Sequence, residues 1–81
     1  MKKEFEAIVI DKSYVGFGEF LVTDKNYLDK KPIWILVLSG QEEGEKYRIL
    51  EIKKKNNKVI YETDDTSFIK KGDKIKFIFE E

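Results

Sequence analysis

The chain contains no cysteine and no histidine. Those two absences exclude disulfides, thiolate or imidazole metal sites, Cys–His nucleophiles and Ser–His–Asp triads. Proline, methionine, glutamine and tryptophan occur once each. Charge of one sign is not in excess either: sixteen basic residues balance sixteen acidic ones. A net charge of zero gives no global field to draw in a polyanion, so any nucleic-acid site must rest on local patches. The longest apolar run, Ile33 to Leu38, is six residues, far too short to span a bilayer. Glu4 and Glu6 interrupt any apolar stretch after Met1-Lys2-Lys3. No signal peptide, no membrane partner and a cytoplasmic location are therefore expected.

Carboxylates are what remains for catalysis: Glu42, Glu43 and Glu45 in one loop, Asp64 and Asp65 in another. General acid–base work needs two carboxyls in a cleft with separated pKa values. These lie beside Gly40, Gly44 and Thr66, in loops that water should reach, and read as solvated turn charges. No EF-hand spacing is present. The expectation is a non-enzyme with no metal and no cofactor.

What is present is apolar and aromatic. Of 81 residues, 41% are hydrophobic and 14% aromatic, which argues against disorder and for one domain over residues 1–81. Charged residues make up 40%, well above the roughly 25% of an average domain. Abundant Lys and Glu with little Met and Gln resembles thermophile composition; a lysine-rich, low-GC genome gives a similar bias.

The apolar period is two, not 3.6, and no ten-residue stretch carries a helical stripe. The candidate strands are 4–11, 18–23, 33–39, 46–54, 58–63 and 74–80, rich in Ile, Val, Phe and Tyr. The fold class expected is all-β: a small five- or six-stranded antiparallel barrel, OB-like or SH3-like, built as a meander closed on itself. In the first strand Phe5, Ala7 and Val9 face the core. Ile8 and Ile10 make the other face apolar at its far end, so a cover is expected there. The third strand is apolar on both faces and should be the most buried, entered through Pro32. Asn56-Asn57 suits a two-residue type I′ turn. That register sets Ile52 opposite Tyr61 and Lys54 opposite Val59, with Leu50 on the same face, and puts Glu51 opposite Glu62. The polar segments 24–31 and 64–73 each have room for a helical turn, the second anchored by Phe68 and Ile69, with Gly72 in a left-handed position.

The most informative segment is Ser13-Tyr14-Val15-Gly16-Phe17-Gly18-Glu19-Phe20-Leu21-Val22. An aromatic between two glycines reads either as an open stacking surface or as a bulge at a barrel corner. It resembles the Lys-Gly-Phe-Gly-Phe motif on the second strand of cold-shock domains, which are OB-fold barrels. The segment from Ile33 to Val37, with Trp34, is similar in place to that family's second stacking motif. Phe68 to Phe77 is similar to its run into the fourth strand. Val15 and Glu19 depart from the motif, the 46–63 hairpin is additional, and no histidine accompanies Trp34. The resemblance implies a small OB-like barrel, with Gly16, Phe17, Gly18, Phe20 and Trp34 as the residues that carry over.

Two functions from different classes fit these features. The first is binding of single-stranded RNA or DNA, with Tyr14, Phe17, Phe20 and Trp34 stacking on bases. Lys12 and the hairpin lysines Lys53, Lys54, Lys55 and Lys58 would touch phosphate. The second is a protein-interaction module acting through an exposed strand or aromatic patch, since interfaces favour Tyr, Trp and Phe. The lysines read equally as a solubilising guard on hairpin tips. Whether Phe17, Phe20 and Trp34 share one open patch bordered by lysines separates the two.

Overall fold

Two-residue alternation folds the chain into six strands. The computed structural model describes residues 2–27, 31–64 and 66–80, and those residues hold no helix. The strands are β1 (Lys2–Val15), β2 (Gly18–Thr23), β3 (Trp34–Val37), β4 (Lys46–Lys55), β5 (Lys58–Thr63) and β6 (Lys74–Glu80). They close into an antiparallel barrel in the order β1-β2-β5-β4-β3-β6, a small all-β barrel of the OB-like or SH3-like kind. No helix among the described residues is long and apolar enough to cross a membrane.

The connections are not those of a meander. β3, β4 and β5 follow one another as neighbours, β6 returns beside β3, and β2 pairs with β5: a Greek key. The cause is the polar segment after β2. Its first residues, Asp24 to Tyr27, leave the sheet, and Tyr27 is fixed by its N–H donating to Tyr61 Oη at 2.8 Å. The Tyr61 hydroxyl in turn donates to the Lys25 carbonyl at 3.2 Å. The Tyr27 ring stands edge-on to Phe77 and Phe79, centroids 5.4 and 5.0 Å away. Residues 28–30 of the helical turn expected over 24–31 lie outside the described residues.

β1 serves both sides of the barrel. Lys2 to Ile8 pair with β6, and Val9 to Val15 pair with β2, with a bulge at Ile10. A bulge adds a residue and bends the strand, so one long strand turns a barrel corner. The inner face carries Ala7, Val9, Leu21, Ile35, Val37, Val59, Tyr61, Ile69, Ile75, Phe77 and Phe79 as a single core. Pro32 is buried at the entry to β3, as expected. Gly72 holds φ +96°, where its N–H donates to the Val9 carbonyl at 2.7 Å.

The β4–β5 hairpin has the anticipated register. Ile52 faces Tyr61, Lys54 faces Val59 and Glu51 faces Glu62, around Asn56 and Asn57 at φ 50° and 64°. Other expectations fail. β3 is not the most buried strand, since Trp34 and Leu36 are half-buried while β2 and β5 bury more of their residues, and Phe5 is exposed. A second bulge, between Ile49 and Glu51, reverses the phase, so Ile49 packs on the core and Leu50 is exposed. Ile8 and Ile10 stay exposed, without the expected cover, and Phe68 is exposed while Ile69 alone enters the core.

Candidate nucleic-acid interface

The barrel separates the aromatics grouped from the sequence. β2 and β3 lie three strands apart in either direction round the closed order, so they occupy opposite walls. Phe20 and Trp34 both point outward, since their neighbours Leu21 and Ile35 are in the core. They therefore look in opposite directions, and Phe17, Phe20 and Trp34 form no common patch.

Phe20 is 2% exposed. It makes a small external cluster with Val22 and Ile60, flanked by Val15. Lys53 roofs it, with Nζ 5.6 Å from the ring centroid and 3.4 Å from Glu51 Oε1. Its aliphatic stem covers apolar surface while the charge stays wet. Stacking by Phe20 is thus ruled out in this conformation. Phe17 is the opposite case. It sits with Gly16 in a two-residue turn that joins the paired Val15 and Gly18. Gly16 takes φ +60°, as the first central position of a type II′ turn requires. The Phe17 side chain is 112% exposed, with Tyr14 at 65%.

The sequence-selected lysines divide as well. Lys12 is occupied: its ammonium lies 2.6 Å from Glu19 Oε1 and donates to the Thr66 and Ser67 carbonyls at 2.8 and 3.3 Å. Glu19, a departure from the cold-shock motif, is there as the partner of Lys12. Lys55 reaches across to β1 and donates to the Tyr14 carbonyl at 3.2 Å. Lys54 and Lys58 are exposed on the hairpin. The acidic loops show no convergence: Glu43, Glu45 and Asp64 are exposed, Glu42 accepts from the Tyr47 hydroxyl at 3.0 Å, and Asp65 lies outside the described residues. No cluster of three or more acidic groups suited to a metal occurs among the described residues.

A different aromatic–basic constellation emerges on the outer face of β1, β6, β3 and β4. In register, one row runs Glu4–Ile78–Trp34–Arg48 and the next Glu6–Lys76–Leu36–Lys46. Trp34 and Leu36 are half-buried, and Lys46 and Arg48 are exposed. The Lys46 ammonium stands 4.5 Å from the centre of the Trp34 ring. Directly opposed side chains on one face are about 5 Å apart at Cβ, so Arg48 borders the same ring. On the β1 side, Glu4 meets Lys76 at 3.5 Å and Glu6 meets Lys74 at 3.9 Å. Lys46 and Arg48 have no carboxylate within ion-pairing distance among the described residues. Positive charge is therefore concentrated over β3 and β4.

Of the residues named from the sequence, this face contains Trp34 alone. Lys46 and Arg48 were missed. Arg48 is the chain's single arginine, and the period-two phase of 46 and 48 marks them as outward. What the sequence did not disclose is that β3 lies between β4 and β6. No protein-family model, curated protein or solved structure matches this chain.

Proposed function

We propose that this barrel binds single-stranded nucleic acid, RNA or DNA, on the outer face of β3 and β4. The observation that carries the reading is the half-exposed Trp34 ring bordered by Arg48 and Lys46, two cations without an acidic partner among the described residues. A base stacked on such a ring contributes about 1–3 kcal/mol, and cations beside it hold the phosphates. The protein acts here as a binding module, with no catalytic step, cofactor or metal in the reading, and a cytoplasmic site of action fits a chain free of cysteine. Trp34 is the only tryptophan, so its fluorescence reports directly on the site. Titration with mixed-sequence oligonucleotides at low salt should quench it saturably. A flat emission at micromolar protein would remove the proposal.

A second reading, a protein-interaction module, rests on the β1–β2 hairpin. Phe17 and Tyr14 project from it, and the nearby Lys12 is neutralised by Glu19. An exposed aromatic at the turn of a hairpin suits an anchor that fills a partner's pocket. This reading expects a stable hetero-complex, lost on Phe17→Ser, and no oligonucleotide affinity.

A further inference from the structure

Resting on the nucleic-acid reading, we infer that the bound strand runs along β4, with Lys46 and Arg48 on consecutive phosphates and the base between them on Trp34. Lys46 and Arg48 are two residues apart on one strand and share its outer face. Two strand residues span about 7 Å, comparable to the step between neighbouring phosphates in an extended single strand. Trp34 lies across from Arg48 and beneath Lys46, so both cations reach the backbone on either side of one stacked base.

The opposite side of the face sets the direction. Glu4 and Glu6 neutralise Lys76 and Lys74 and place carboxylates along β1. A phosphate backbone laid over β1 and β6 would meet them. Backbone over β4 and base directed inward, over β3 toward the half-buried Leu36, is the arrangement that puts each group against its complement. Lys46 then exchanges its place over the ring for a phosphate, and the base takes the ring face that the ammonium vacates. The footprint is short: two phosphates and one stacked base, with Leu36 as an apolar floor for a neighbour.

The test is the salt dependence of binding, read by Trp34 fluorescence. Oligothymidylates and oligouridylates of increasing length, run in parallel, serve as probes and separate DNA from RNA. Each phosphate contact on a single strand contributes a slope of about −0.7 in log K against log salt. Wild type should show a slope of about −1.4, with affinity levelling off once the oligomer supplies two phosphates. Lys46→Gln and Arg48→Gln should each remove about half of that slope, while Lys54→Gln and Lys58→Gln leave it unchanged. Lys46 and Arg48 are exposed and circular dichroism of the variants checks the fold. Binding whose slope falls with Lys54→Gln or Lys58→Gln, and not with Lys46→Gln or Arg48→Gln, overturns the β4 path and leaves the functional proposal standing. Absence of quenching with every probe overturns the functional proposal itself.

Discussion

Lys46 lies diagonally across from Trp34, its ammonium 4.5 Å from the indole centroid. The cation keeps the ring face desolvated at a modest gain, about 0.5–1 kcal/mol at exposed sites, small enough for a base and a phosphate to replace it. The same lysine thus shields an exposed indole in the free protein and supplies charge in the complex. Lys53 repeats the device over Phe20, but that ring is buried and the lysine acts there as a lid.

Lys12 should prove structural. Its ammonium satisfies Glu19 and two loop carbonyls in a partly buried position, with side chains 19% and 24% exposed. Lys12→Met strips those partners and should lower unfolding free energy by about 1–3 kcal/mol in urea. Oligonucleotide affinity should be unchanged. A loss of affinity without a loss of stability would return Lys12 to the phosphate-contacting role its position in the sequence suggested.

Tyr61 should give the barrel an alkaline limit. Burial pushes its hydroxyl above the ordinary tyrosine range, opposed by the hydrogen bond from Tyr27 N–H, and the nearby Tyr27 charge adds to the upward shift. A folded-state pKa raised above the unfolded one means that the stabilising contribution is whole below about pH 10 and is lost as pH rises through the folded value. Thermal or urea midpoints measured across that range should fall more steeply in wild type than in Tyr61→Phe. Equal slopes would refute the assignment.

The β4–β5 turn should respond to backbone preference alone. Asn57 sits at φ 64°, where a β-branched side chain is disfavoured by about 1–2 kcal/mol and glycine is at ease. Asn57→Val should destabilise by about that much and Asn57→Gly should be neutral or slightly stabilising, both read from chemical unfolding. The reverse order would mean that the asparagine side chain, rather than its backbone, holds the turn.

Local patterns were the legible part of the sequence. Strand positions, the Asn56-Asn57 turn and its register, and the left-handed Gly72 all follow from nearest neighbours and alternation. The two bulges were not legible: Ile10 and Leu50 look like any other strand residue, and only the second bulge changes a face, turning Leu50 out. The order of strands was also hidden, because the β2–β5 pairing is non-local and no pattern of neighbouring residues marks it. That single non-local choice decided the site. It sent Phe20 and Trp34 to opposite walls and left Lys46 and Arg48 of β4 beside the indole.

The most direct measurement is the affinity of Trp34→Ala for a fluorescently labelled single-stranded oligonucleotide, by anisotropy at low salt, beside wild type and Phe17→Ala. Removing the ring should weaken binding roughly 5- to 150-fold, as loss of one stacked base does, while Phe17→Ala binds as wild type does. Undiminished binding by Trp34→Ala, or a loss confined to Phe17→Ala, would contradict a site on the outer face of β3 and β4.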